Sequence, residues 1–99
     1  MSKAAITVMG SFIVDLMARA SHLPEHGETV KGSHFQIGPG GKGSNQGVAA
    51  CRSGAAVTMI TKIGDDPFAQ IALDSFKREV MDMQFVMRDK RYPTGTALI

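Results

Sequence analysis

The fold is decided around residues 38–47, which read GPGGKGSNQG. Glycine lets the backbone approach a ligand closely and adopt positive φ angles. The residues that follow are compatible with a helix from Ser44 to Ser53, and Gly54 stands where a helix usually ends. Because the first N–H groups of a helix have no intrahelical partner, a glycine-rich turn leading into a helix predicts a site for an oxygen-rich ligand.

On both sides of this stretch the pattern alternates between strands and helices. Apolar runs rich in β-branched residues predict strands at residues 6–9, 56–63, 85–87 and 94–99. The more polar residues 29–37 are predicted to form two short strands of a lid or edge hairpin. This order of elements predicts an α/β fold with at least part of a parallel sheet.

A second helix is predicted to begin at Pro67, with Asp66 as its N-cap. The apolar residues of this helix recur at helical spacing, which predicts one buried face. We expect that face to carry Phe68, Ile71, Ala72, Phe76 and Val80. Phe85, on the strand that follows, is also predicted to lie in the core.

The composition narrows the class of protein. The chain has 99 residues, of which 43% are hydrophobic and 20% charged, and its formal charge is +2. These values are typical of one small globular domain and not of a disordered segment. No run of Lys or Arg exceeds two residues, so neither a nucleic-acid partner nor a membrane partner is expected. Cys51 is the only cysteine, and the first apolar run is too short for a signal peptide, so we expect a cytoplasmic location.

Two nucleotide-binding motifs can be compared with the glycine-rich stretch. A Walker A loop fails, because its Ser/Thr position holds Gly43 and its first glycine position holds Gln36. A dinucleotide fingerprint fits better, since Gly38, Gly40 and Gly43 satisfy G-x-G-x-x-G and Asp65 follows 22 residues later. The half-polar strand before this fingerprint and the polar residues after it count against dinucleotide binding, but the alternative stays open.

Five motifs occur in an order that resembles the ribokinase family of PfkB-type sugar kinases. They are GSFIVD at 10–15, PEHGETV at 24–30, GGKGSNQG at 40–47, KIGDD at 62–66 and YPTGTALI at 92–99. The resemblance covers almost the whole chain. It implies a three-layer α/β/α fold with a small β-sheet lid. Residues 1–99 would be only the amino-terminal, substrate-binding and lid portion of that fold.

The resemblance implies that a sugar is bound by the turn after the first strand and by the glycine-rich stretch. An ionised carboxylate such as Asp15 can accept hydrogen bonds from two adjacent hydroxyls, and Asn45 offers a donor and an acceptor. Taken alone, Asp15 reads equally well as a solvated turn carboxylate and Asn45 as a helix N-cap. By position, the predicted substrate-binding residues are Ile13, Val14, Asp15, Gly41, Lys42, Gly43, Ser44 and Asn45. No catalytic residue and no metal ligand is expected within the chain.

The reaction implied by the resemblance is the ATP-dependent phosphorylation of the primary hydroxyl of a pentose, such as ribose or 2-deoxyribose. ATP, Mg²⁺ and a monovalent cation are the implied cofactors, and their sites, like the catalytic base, are expected beyond residue 99. The 99-residue chain alone is therefore predicted to be inactive. The resemblance also implies a homodimer formed through the β lid. The alternative from another class is a non-catalytic sugar-binding or dimerisation fragment.

One position departs from the pattern of the family. Members that prefer ribose usually show G-S-x-N-x-D in the first turn, and this chain has Ile13 in place of the Asn. A hydroxyl left unpaired against a hydrocarbon side chain costs on the order of 1–3 kcal/mol. This departure predicts a preference for a sugar that lacks the hydroxyl, such as 2-deoxyribose.

Overall fold

A computed structural model describes residues 2–99 as two three-stranded sheets and two helices. Neither helix in this range is long and apolar enough to cross a membrane. In chain order the elements are β1 (Ala5–Met9), β2 (Ile13–Arg19), β3 (His34–Gly40), α1 (Lys42–Arg52), β4 (Ala56–Gly64), α2 (Pro67–Arg78), β5 (Asp82–Asp89) and β6 (Gly95–Leu98). The predicted α/β class is confirmed, and the strands predicted at 6–9, 56–63, 85–87 and 94–99 are found with different ends.

The core layer consists of the parallel sheet β1-β4-β5 and the two helices. Strand β4 lies in the centre, and its alternate residues Val57, Met59 and Ile63 are buried. Burial of alternate residues follows from the two-residue period of a strand. Within the core, the rings of Phe12 and Phe76 meet edge to face with their centroids 5.7 Å apart.

Helix α1 begins at Lys42, two residues earlier than predicted, because β3 runs to Gly40 and leaves only Gly41 as a link. The helix ends as expected, since the φ angle of 99° at Gly54 is one that glycine adopts without a steric penalty. A Cβ atom at Gly47 would lie 3.2 Å from the Cε of Met81, so the missing side chain lets α1 lie close to its neighbours.

Helix α2 begins as predicted and ends earlier than predicted. Asp66 is the N-cap and accepts a hydrogen bond from the backbone N–H of Ala69 at 3.0 Å. Val80 was expected on the buried face, but it lies beyond the helix, 84% exposed, with a φ angle of 61°. The prediction for Phe85 is also wrong, because its side chain is 49% exposed, while the next residue, Val86, packs against the core instead.

The lid sheet has the order β3-β2-β6, with β2 antiparallel to β3 and parallel to β6. The predicted hairpin within residues 29–37 is therefore wrong, since residues 29–33 form no strand and β3 pairs with β2 instead. The physical reason is the wide turn closed by Ser33, whose N–H donates to the carbonyl oxygen of Arg19 at 2.9 Å. That bond sets β3 against β2 and leaves the segment between them outside the sheet.

Candidate functional site

A cavity of about 440 Å³ opens where the lid sheet meets the start of α1. Five of the eight predicted site residues line it, and they come from two separate segments of the chain. The lining residues are Ser11, Ile13, Asp15, Gly41, Lys42, Asn45 and Ala97. The two groups on which the sequence interpretation depends, the carboxylate of Asp15 and the amide of Asn45, thus share one cavity.

Asp15 is the third residue of β2, with Gly38 on one neighbouring strand and Ala97 on the other. It is partly buried within β2, the extended segment that follows the turn after β1. Its carboxylate lies directly over Gly40, because a Cβ atom there would be 2.5 and 2.7 Å from the two oxygens. Within residues 2–99 no hydrogen bond or ion pair engages this carboxylate, so both oxygens are available to a ligand.

Lys42 and Asn45 belong to the first turn of α1 and are both exposed at the cavity. The N-cap position is held by Gly41, whose carbonyl oxygen accepts the N–H of Asn45 at 2.8 Å. The alternative interpretation of Asn45 as an N-cap is therefore wrong. Its side-chain amide, which can donate and accept, is left facing the cavity.

The two segments that form the cavity contact each other at Gly41. Its φ angle of 96° is in the region that favours glycine, and a Cβ atom there would lie 2.5 Å from the carbonyl oxygen of Ser11. The same carbonyl oxygen accepts the backbone N–H of Ser44 at 3.1 Å. This bond docks the helix start on the turn between β1 and β2, which brings the two cavity-lining segments together.

Three of the predicted site residues do not line the cavity. Val14 and Ser44 are almost completely buried, and their side chains belong to the packing below the site. Gly43 packs against Gly10, since a Cβ atom at Gly43 would lie 2.7 Å from the Cα of Gly10. The packing of these three residues fixes the backbone from which the cavity-lining side chains project.

Sequence reasoning missed Ser11 and Ala97 as cavity-lining residues. Ser11 was part of the quoted GSFIVD motif, so a polar side chain in the same motif as Asp15 was the signal that could have identified it. Ala97 carries no such signal, because its place opposite Asp15 depends on the pairing of β6 with β2. Residue patterns within β2 and β6 do not by themselves show that these two strands, far apart in the chain, are neighbours.

A second polar cluster fixes the start of β6. The carboxylate of Asp66 accepts the backbone N–H and the hydroxyl of Thr94, each at 2.8 Å, and the Thr94 hydroxyl accepts the N–H of Gly64 at 2.9 Å. The backbone hydrogen bond from Thr94 is the main reason that the pKa of Asp66 lies below its usual range. The cluster ties the carboxyl end of β4 to the strand that brings Ala97 to the cavity.

A larger and mostly apolar groove of about 920 Å³ lies on the lid sheet. It extends along β2 and under the loop that follows this strand. Its apolar side chains include Leu16, Leu23, Val30, Phe35, Leu98 and Ile99. The groove is separate from the polar cavity and shares none of its lining residues.

The topology contradicts the dinucleotide-binding alternative. A G-x-G-x-x-G fingerprint needs a strand, a helix and a second parallel strand in the same sheet. Here β3 lies in the lid sheet and β4 in the core layer, so the glycines between β3 and α1 are not part of such a unit.

Comparison with known proteins agrees with the fold. Residues 3–99 match the family described as pfkB family carbohydrate kinase. The chain belongs to this family. The ribokinase of Mus musculus is 41% identical over 96 residues, which are 97% of this chain and 30% of that protein. The deoxyribokinase of Salmonella typhi is 38% identical over 94 residues, which are 95% of this chain and 31% of that protein.

A solved structure shows the same fold. The ribokinase of Cryptococcus neoformans var. grubii serotype A, crystallised in complex with ADP, has a TM-score of 0.78 and 28% sequence identity. The match covers 98% of this chain and 30% of that one. The chain thus spans about a third of the length of its pfkB-family relatives, and it corresponds to the amino-terminal part of the ribokinase fold.

Proposed function

We propose that the chain is the sugar-binding portion of a carbohydrate kinase that phosphorylates the primary hydroxyl of a pentose. The observation that carries this proposal is the convergence of Asp15, Lys42 and Asn45 on one cavity in a chain of the pfkB family. These three side chains offer a paired acceptor, a charged donor and an amide, which is the set that a polyol needs.

We propose a part in binding for each group. The Asp15 carboxylate is held by a strand on each side and would accept two neighbouring hydroxyls. Lys42 and Asn45 stand across the cavity on a helix start and would bond the other hydroxyls of the ring. Because the carboxylate is charged, its hydrogen bonds are stronger than those between neutral groups. We therefore infer that Asp15 contributes most of the sugar affinity.

ATP would supply the phosphoryl group, and we place ATP, Mg²⁺, the monovalent cation and the catalytic base outside residues 1–99. The cavity contributes a single carboxylate, and no three His, Cys, Asp or Glu side chains converge within residues 2–99. This donor set does not suit a divalent cation, which takes several oxygen ligands. The residues of this chain would bind and orient the sugar only, and the 99-residue chain alone is expected to transfer no phosphate.

The lid groove supports two further parts of the proposal. Its apolar residues Phe35 and Leu98 are exposed, which suits pairing with the lid of a second copy in a homodimer. The same groove favours the second candidate function, a sugar-binding or dimerisation module without catalysis. We propose a cytoplasmic location, in keeping with the single cysteine of the chain.

The choice of sugar is proposed from Ile13, which lines the cavity two residues before Asp15. Its hydrocarbon side chain cannot bond a hydroxyl, so a ribose hydroxyl facing it would stay unpaired. Similar proteins include both a ribokinase and a deoxyribokinase. We propose that this chain favours 2-deoxyribose over ribose.

Titration calorimetry and turnover measurements on the full chain encoded by the gene test the proposal. Asp15→Asn is expected to raise the Kd for the preferred pentose about a hundredfold or more, because it removes two charge-assisted hydrogen bonds. The matched control is Asp74→Asn, which changes an exposed carboxylate on α2 and is expected to leave Kd unchanged. Equal Kd values for Asp15→Asn and the wild type would overturn the sugar site.

A second comparison tests the sugar preference. Ile13→Asn is expected to shift the ratio of kcat/KM toward ribose by about tenfold, since the amide can bond the extra hydroxyl. A clear preference of the wild type for ribose would end the 2-deoxyribose proposal. Sugar binding without turnover in the full chain would favour the non-catalytic module.

A further inference from the structure

We propose that Gly95 is a specificity-determining residue, because it leaves the space into which the side chain of Ile13 withdraws from the cavity. The inference rests on the proposed function, and it adds a residue that does not itself line the cavity. Through Ile13, Gly95 would set the size of the ligand group that fits beside residue 13. That group is the ring substituent of the sugar that faces Ile13.

The register of the lid sheet places the two residues side by side. Ile13 of β2 pairs with Gly95 of β6, and two residues further along Asp15 pairs with Ala97. Paired residues of parallel strands point to the same face of a sheet. Both members of β6 on this face, Gly95 and Ala97, are small, and their partners Ile13 and Asp15 on β2 line the cavity.

The contact between Ile13 and Gly95 is close. A Cβ atom added at Gly95 would lie 2.6 Å from the Cδ1 of Ile13, nearer than side-chain carbons approach each other. Gly95 is not among the glycines with positive φ in residues 2–99, so an alanine there meets no backbone penalty. A methyl group at position 95 would therefore act mainly by displacing the side chain of Ile13.

The displaced side chain would move into the cavity. Strand β6 is held against β2 by its pairing from Gly95 to Leu98, and Thr94 anchors its start to Asp66. These ties oppose a shift of the strand away from Ile13. Ile13 already forms one wall of the cavity, which is the open space beside it.

A double-mutant cycle at positions 13 and 95 tests the inference by calorimetric titration of 2-deoxyribose and ribose into the full chain. Gly95→Ala is expected to raise the Kd for the preferred pentose about tenfold, as overpacking does in a filled site. In the Ile13→Ala background the same change is expected to have an effect below about twofold, because the displaced group is absent. The control is Asp74→Asn, an exposed residue of α2 that does not line the cavity, and its Kd is expected to stay unchanged.

The outcomes separate the possible explanations. If Gly95→Ala weakens binding equally in both backgrounds, Gly95 acts through the strand and not through Ile13, and the inference is overturned. If Gly95→Ala leaves Kd unchanged while Asp15→Asn raises it, the inference fails and the proposed function stands. If the wild type binds neither pentose, both the proposed function and the inference that rests on it are contradicted.

Discussion

The two sheets of the molecule have the same number of strands and differ in what covers them. In the core layer, Met59 of the central strand is completely buried beneath the helices. In the lid sheet, Phe35 of β3 remains 62% exposed, although Val14 at the root of β2 is buried. The polar cavity lies between the two regions, at the end of the lid sheet that joins the core.

This difference separates stability from binding. Burial of apolar side chains is the main favourable term in folding, so the core layer supplies most of it. The lid sheet gains little from burial, and its contribution is to hold Asp15 and Ala97 at one wall of the cavity. In such an arrangement we expect substitutions of the cavity-lining residues to leave most of the folding free energy unchanged.

The largest expected effect tests the comparison directly. Met59→Ala is expected to lower the free energy of unfolding by about 3 kcal/mol, because it removes a completely buried side chain and leaves a cavity. Phe35→Ala is expected to change it by less than about 0.5 kcal/mol, since the ring is mostly in solvent. Urea denaturation of the full chain measures both values.

Comparable losses for these two variants would contradict the distinction. They would show that the lid face is covered in the full chain, and the groove around Phe35 would then be an interface. Repeating the measurement at several protein concentrations identifies a second copy as the cover, because dimer stability depends on concentration.

The same distinction explains how much of the molecule could be predicted. The strand at 56–63 and the helix start at Asp66 and Pro67 were predicted because local patterns determine them. Pairing of β3 with β2 depends on a turn that no local pattern specifies, so the hairpin prediction was wrong. Asp15 and Asn45 were predicted through the family resemblance.

The next largest effect concerns the hydrogen bonds from Thr94 to Asp66, which connect the lid sheet to the core layer. Asp66→Ala is expected to lower the free energy of unfolding by about 1–2 kcal/mol at pH 7, because α2 loses its cap and Thr94 its acceptor. The folded state holds the pKa of Asp66 below its usual range, so the ionised form stabilises the fold above that range. The difference between wild type and variant is therefore expected to shrink as the pH falls from the usual Asp range toward the lower folded pKa. Urea denaturation at a series of pH values measures it.

The neighbouring carboxylate serves as the control for this prediction. Asp65 is exposed and has an ion pair with Arg88 at 3.4 Å, so Asp65→Ala is expected to cost less than about 0.5 kcal/mol. A loss that stays constant from neutral to acid pH for Asp66→Ala would show that the ionised carboxylate is not the stabilising form.

The smallest expected effect is a gain in the core layer. Val80 has a φ angle of 61° directly after α2, where the N–H of Met81 donates to the carbonyl oxygen of Phe76 and the N–H of Val80 to that of Lys77. These two bonds form a Schellman motif, whose left-handed residue is usually glycine, as Gly54 is after α1. A β-branched residue in this conformation costs about 1–2 kcal/mol, part of which is offset by the lower backbone freedom of valine in the unfolded chain.

Val80→Gly is therefore expected to raise the free energy of unfolding by about 0.5–1 kcal/mol, and little packing is lost because the side chain is 84% exposed. Sugar affinity is expected to stay unchanged, since Val80 does not line the cavity. Urea denaturation and calorimetry on the same samples measure the two quantities. A change in sugar affinity would contradict the separation of stability from binding. A loss of stability would contradict the expected gain, and it would mean that the relief of the left-handed backbone is smaller than the entropy and packing lost on replacing Val80 by glycine.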